Sequence, residues 1–183
     1  MAEALDAARQ YLVRSRLDPR IEIRPAATGG LGMFARAPIA AGEIVIEWGG
    51  TVLDAAALAR TAIVPDSAIP IGEGVYMVTL AGDADLEDYY LNHSCDPNLW
   101  LVDAVTFATR RAVPAGAELT ADYAYWQDEE DLVGAWTCHC GSPLCRGRVT
   151  GRDWRRPELQ ARYRGHFSPF VNARIDALAR RGE

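Results

Sequence analysis

Three of the four cysteines stand close together, at Cys138, Cys140 and Cys145, and the fourth, Cys95, lies 43 residues upstream of the first of them. A C-x-C-x4-C array can turn three thiolates onto one tetrahedral ion, and Zn²⁺ favours that ligand set. A fourth ligand completes the site. Taking Cys95 leaves no thiol over and clips the tail onto the middle of the chain. His139 and His93 are substitutes, although adjacent ligands are stereochemically awkward, and a set of buried free cysteines is the rival reading. Four cysteines in 183 residues are too few for a disulfide scaffold, so the cluster fits metal binding in a reducing compartment. The expected location is cytoplasmic, or nuclear if the source is a eukaryote.

Cys95 sits inside Leu91–Asn98, L-N-H-S-C-D-P-N. Asn92, His93 and Ser94 hydrogen-bond locally or to a ligand, and Pro97 turns Asp96 away from helix. The segment suits neither a helix interior nor a central strand, which leaves an Asx-rich surface turn or a buried connection at a site. Downstream partners favour the site: Glu118-Leu-Thr-Ala-Asp-Tyr-Ala-Tyr125, then the cysteine cluster.

Around these motifs the pattern is one of short strands. Ile21 and Ile23 alternate with Glu22 and Arg24; Gly29, Gly30 and Gly32 lead into Met33-Phe-Ala35; Ile44–Glu47, Thr51–Leu53, Val75–Leu80, Leu99–Ala108 and Glu118–Thr120 are further strands. Ala2–Arg14 has helical spacing, Ala55–Arg60 a short helix at most, Pro65 and Pro70 bracket a loop, and acids before Tyr89 favour a short helix. Arg155–Arg181 is largely helical, with Ser168 as cap, Pro169 at the first position and Val171, Ile175 and Leu178 as an apolar stripe that packs on the body or forms a dimer contact. The fold class is mainly β with short helices (α+β), small sheets rather than a βαβ array. Four segments are expected: an N-terminal helix over 1–19, the main domain over 20–130, a zinc segment over 131–150 and a helical extension over 151–183.

Charge is distributed unevenly. Residues 1–145 carry 9 Arg against 21 Asp or Glu, a net −12, whereas residues 146–183 carry 10 Arg against 4 acids, a net +6. All 19 basic residues are arginine. An acidic body attracts a basic partner and disfavours direct nucleic-acid binding, and the basic tail is expected to dock back on that body. No apolar run reaches transmembrane length, and the first residues have neither the basic start nor the apolar stretch of a secretory signal. No membrane partner is expected, and the chain is expected to be a monomer or a homodimer through the C-terminal helix.

Gly30-Leu-Gly-Met-Phe-Ala35, Asn92-His-Ser-Cys-Asp-Pro-Asn98, Glu118-Leu-Thr-Ala-Asp-Tyr123 and Cys138-His-Cys-Gly-Ser-Pro-Leu-Cys-Arg-Gly147 occur in an order that resembles the SET-domain protein lysine methyltransferases with a post-SET zinc motif. The resemblance covers roughly residues 20–147 and is carried mainly by the second and fourth motifs. It implies small β-sheets with a knot-like crossing near Asn92–Asn98 and Tyr123, S-adenosylmethionine on one face, a peptide groove on the other and a narrow lysine channel between. By the same resemblance, Gly30, Leu31, Gly32, Asn92 and His93 hold the cofactor and Trp136 packs over its adenine or the peptide. Tyr123 is the active-site tyrosine, Tyr90 lines the channel or cofactor pocket, Tyr125 is a second candidate, and Cys95, Cys138, Cys140 and Cys145 bind Zn²⁺.

Those residue types suit the chemistry. A free lysine has a pKa near 10.4, so presenting the neutral amine at pH 7 costs about 4–5 kcal/mol. An apolar channel and the positive sulfonium both lower that cost. Tyrosine hydroxyls and carbonyls orient the amine without trapping it as ammonium. The chain departs from the family at Trp48, in Glu47-Trp-Gly-Gly50, where many members have tyrosine, and at Tyr89, where many have arginine. The expected substrate is a basic, lysine-containing protein or peptide; the alternative is a non-catalytic module that binds such a peptide.

Overall fold

The computed structural model describes residues 11–83, 87–128 and 136–181. In chain order the strands are β1 Arg16–Leu17, β2 Ile21–Pro25, β3 Leu31–Ala35, β4 Ile44–Glu47 and β5 Thr51–Asp54. After helix α1, Ala55–Leu58, come β6 Ile69–Gly72, β7 Val75–Val78, β8 Asn92–His93, β9 Leu99–Leu101, β10 Thr106–Thr109 and β11 Glu118–Ala121. Helices α2, Pro157–Arg162, and α3, Pro169–Arg181, form the C-terminal extension.

Three small sheets result, ordered β1-β4-β10-β9, β2-β3-β11-β8 and β5-β7-β6. All four residues of β10 are buried, and around it Met33, Ile46, Leu119 and Tyr125 join one apolar core. Every pairing is antiparallel except that β8 runs parallel to β11, Asn92 opposite Thr120 and His93 opposite Ala121. This pairing brings two of the polar motifs side by side. Asn98 secures it by imitating a neighbouring strand: its Nδ2 donates to the Glu118 carbonyl at 2.7 Å, and its Oδ1 accepts the Thr120 N–H at 2.9 Å.

Several expectations change in three dimensions. Of the expected helix over Ala2–Arg14, residues 2–10 lie outside the described residues, and residues 11–14 are not helical. Leu12 bridges to Gly49, and its carbonyl accepts the Gly50 N–H at 2.9 Å. Tertiary pairing overrides good helix formers there. The loop expected between Pro65 and Pro70 ends early, because Pro70 lies within β6. That strand is at a sheet edge, where a missing N–H is tolerated. Ser168 does not cap α3 with its side chain: the hydroxyl is buried with no hydrogen-bond partner among the described residues, and the helix begins through the Asn172 N–H on the Ser168 carbonyl at 2.9 Å.

The stripe on α3 packs inward. Val171 is fully buried and Ile175 and Leu178 pack against the core; burying one such valine contributes about 1.5–3 kcal/mol. Opposite charges finish the docking, with Arg174 bonded to Glu73 at 2.6 Å and to Asp128 at 2.5 Å. The basic tail thus meets the acidic body as its charge implied.

Candidate active site

Beyond β11 the chain makes a single 3-10 turn, Tyr123–Tyr125, whose start is capped by the Asp122 carboxylate accepting the Ala124 N–H at 3.0 Å. Aspartate before a short helical turn is a capping signal readable in sequence. The turn aims consecutive tyrosines differently. Tyr123 donates its hydroxyl to the Leu91 carbonyl at 2.8 Å and lines a cavity of about 540 Å³, within the range of small-molecule sites. Tyr125 is fully buried and donates to the Leu99 carbonyl at 3.2 Å, so it belongs to the core. Burial raises the Tyr123 phenol above its ordinary value.

Aromatic rings wall the cavity. Trp48, Trp126 and Trp136 line it with Tyr123; Trp126 and Trp136 approach the tyrosine ring to 5.1 and 5.3 Å. Trp48 is buried and packs edge-on to Phe107 and Trp126, and its Nε1–H has no partner among the described residues. At the rim, Asn92 donates Nδ2 to the Leu31 carbonyl at 3.0 Å and to Glu118 Oε1 at 2.8 Å. Gly32 lies beneath this pair. A methyl group there would sit 2.8 Å from Asn92 Nδ2 and closer still to Glu118 Oε1, so the cradle requires glycine. Gly30, with φ +71°, turns the chain into β3, and neither it nor Leu31 lines the cavity.

His93 points inward. Its side chain is 1% exposed, and burial drives its pKa down to about 4, so the ring is neutral. Tyr90 is half-buried and packs edge-on to Tyr89 at 5.8 Å; Tyr89 is the one that lines the cavity. The structure therefore gathers Asn92, Tyr123 and Trp136 around one space, sets Leu31 and Gly32 against Asn92, packs His93 behind the Tyr123 and Trp136 rings, and leaves Tyr90 out of the lining. Sequence reasoning did not single out Trp126, Glu118 or the buried Asp122.

The four cysteine sulfurs lie within 4.8 Å of one another. Cys95 Sγ and Cys138 Sγ are 3.8 Å apart, far beyond a disulfide and equal to a tetrahedron edge for bonds of about 2.3 Å. The Arg146 N–H points at Cys95 Sγ at 3.3 Å, as suits a thiolate acceptor. The donor set and its spacing fit Zn²⁺. Two links join this cluster to the turn. His93 Nε2 is 3.3 Å from Cys95 Sγ, and Arg146 clasps Asp122 at 2.6 and 2.8 Å while reaching Asp153 at 2.8 Å.

The family model described as "SET domain" matches residues 30–124, just over half of the chain. The chain belongs to the SET-domain family. Among curated relatives of this SET domain, "Histone-lysine N-methyltransferase ATX2" of Arabidopsis thaliana is 31% identical over 72% of this chain and 13% of its own length. "Histone-lysine N-methyltransferase SETD2" of Homo sapiens is 29% identical over 84% of this chain and 6% of its own. The chain thus spans only a small part of these relatives. Among solved structures, "KRYPTONITE in complex with mCHG DNA and SAH" superposes with a TM-score of 0.56 at 27% identity, over 73% of this chain and 29% of that one. A second, "KRYPTONITE in complex with mCHH DNA, H3(1-15) peptide and SAH", gives 0.54 at 25% identity, over the same shares.

These neighbours overturn one expectation. Direct nucleic-acid binding was to be disfavoured by the acidic body, yet KRYPTONITE, a protein with this SET fold, is solved with DNA. Net charge averages over the surface, whereas binding is decided locally. Here Arg148, Arg152, Arg155, Arg156 and Arg164 are all exposed in the basic segment. The acidic body is no ground for excluding nucleic acid.

Proposed function

We propose that this chain transfers methyl groups from S-adenosylmethionine to the side-chain amine of lysine in a basic protein or peptide, a histone tail being the leading class. The observation that carries the reading is Tyr123, held at both ends in the wall of an aromatic cavity beside Asn92. Relatives described as histone-lysine N-methyltransferases, and structural neighbours solved with SAH, support it. The bound cofactor would supply an electrophilic methyl on a sulfonium. The Asn92–Gly32 cradle would hold its polar body, with Trp136 closing over it.

The protein's share of the work is orientation and water exclusion. Because the Tyr123 hydroxyl gives its proton to the Leu91 carbonyl, its oxygen stays free to accept from the incoming amine. A neutral acceptor orients the amine without the negative charge that would trap it as ammonium, and aromatic faces favour both the sulfonium and the methylated product. Cys95, Cys138, Cys140 and Cys145 would hold one structural Zn²⁺, fastening the tail behind the cofactor wall.

A second reading has its own support. Trp48 replaces a hydroxyl with an unpartnered indole N–H in the cavity wall, which suits a module that binds a basic peptide without methylating it. Radiolabelled cofactor incubated with a panel of basic proteins, free and bound to DNA, separates the two. Label transferred by the wild type and lost with Tyr123→Phe supports the enzyme; no label at high protein concentration supports the module.

A further inference from the structure

The Asp122 carboxylate is completely buried and receives four hydrogen bonds. Oδ1 accepts from Ala124 N–H at 3.0 Å and Arg146 Nη2 at 2.8 Å; Oδ2 accepts from Arg146 Nη1 at 2.6 Å and from the Tyr163 hydroxyl at 3.0 Å. A carboxylate offers about four lone-pair sites, so this one is saturated. Three of its donors are unsurprising, coming from the turn it caps and from the arginine beside the cysteine cluster. The fourth comes from the end of α2, 41 residues away and outside the part of the chain that the family model matches.

We propose that Tyr163 is a positioning residue for methyl transfer: its hydroxyl, anchored on Asp122, sets the angle of the Tyr123–Tyr125 turn and thereby the Tyr123 oxygen. This rests on the functional reading above. The Tyr163 hydroxyl is also 3.3 Å from the Cys95 carbonyl, but it has a single proton, and the charged acceptor at shorter range takes it. That carbonyl has its own donor in Arg162 Nη1 at 3.2 Å. The ring of Tyr163 is locked edge-on against Tyr125 at 4.8 Å and Phe167 at 6.0 Å, so the hydroxyl cannot follow a carboxylate that drifts. Asp122 is therefore held from both sides, by Arg146 on the cluster side and Tyr163 on the extension side. The C-terminal extension serves the active site as well as the core.

The test uses the full chain purified without chelator. Tyr163→Phe keeps the ring and removes only the hydroxyl. Turnover at saturating cofactor and peptide should fall about tenfold, part of the roughly 10²-fold that a misplacement of about 1 Å costs. KM and cofactor Kd should stay within about twofold, the pattern of a contact used in the transition state. Amide exchange at Ala124, whose N–H caps on Asp122, should accelerate. Asp122→Asn combined with Tyr163→Phe should be no slower than Asp122→Asn alone, because the hydroxyl acts through that carboxylate. Leu178→Ala, which loosens the packing of α3 on the core and is no part of the Tyr163 contact set named above, should lower Tm and leave turnover unchanged.

Unchanged turnover in Tyr163→Phe overturns the proposal. So does an equal loss in Leu178→Ala, or a double variant whose losses multiply. A wild-type protein that labels no substrate sinks the functional reading instead. In that event Ala124 exchange decides this proposal: acceleration in Tyr163→Phe with none in Leu178→Ala upholds it, and unchanged exchange ends it.

Discussion

Nδ1 of His93 accepts the main-chain N–H of Tyr123 at 3.2 Å. Since that nitrogen is the acceptor of a neutral ring, the proton must sit on Nε2, which then donates to Cys95 Sγ at 3.3 Å. One imidazole thus ties the active-site turn to the thiol cluster. It explains why histidine and cysteine stand two residues apart in the central motif, and it makes the thiol cluster part of the scaffold that holds Tyr123.

Zinc removal should therefore reach the cavity. One Zn²⁺ per chain is expected by elemental analysis, and a strong chelator should loosen residues 136–150 first and the Tyr123 turn next, read by amide exchange. Burial pushes the Cys95 thiol up to about 11 in the absence of metal, so loading releases protons and must weaken as pH falls. Full zinc retention in Cys95→Ser would count against this ligand set.

Tyr123→Phe should reduce turnover on the order of 10²-fold while changing cofactor Kd less than about threefold. Calorimetric titration beside a peptide assay reads both. Collapse of affinity together with rate would move Tyr123 into the cofactor site.

At subsaturating peptide, kcat/KM should rise with pH toward the ordinary lysine value near 10.4, because only the neutral amine attacks. Burial disfavours the Tyr123 phenolate and lifts its pKa, so Tyr123 remains a protonated donor to Leu91 across that range. A descending limb below pH 10 that disappears in Tyr123→Phe would refute this assignment.

Two glycine substitutions should separate function from stability. In Gly32→Ala the new methyl meets only side-chain ends, of Asn92 and Glu118, which can shift; cofactor affinity should drop about tenfold or more with little change in Tm. In Gly49→Ala the obstacle is the backbone of Arg14 and Leu12, which cannot; the fold should lose about 1–3 kcal/mol with cofactor Kd unchanged. Thermal melts and calorimetry on both variants decide whether the two effects divide this way.

The chain contains no lysine, so incubation with cofactor should place no methyl on its own internal side chains. Intact-mass measurement checks this. An internal modified residue would call lysine into question as the acceptor.

Much of the architecture was legible because it is written in local pattern. Alternating isoleucines and glycine turns predicted β2, β3 and β4, Ile44–Glu47 to the residue, since a strand's two faces demand period two. Three of the thiols were readable from spacing, because ligand geometry restricts which cysteines can meet; Cys95 rested on the cysteine count and the resemblance, and the fold brings it to the cluster. Tertiary structure decided the rest. A 3-10 turn swings each side chain about 120° from the last, so Tyr89 faces the cavity and Tyr90 does not; no sequence rule chooses between adjacent tyrosines. Leu12 is extended because Gly49 offers it a backbone partner 37 residues away, outweighing helix propensity. The Asp122–Arg146–Tyr163 junction joins residues 24 and 41 apart, and its value comes from excluding water around a charge. Burial of that kind is a property of the packed molecule, which is why no stretch of sequence announces it.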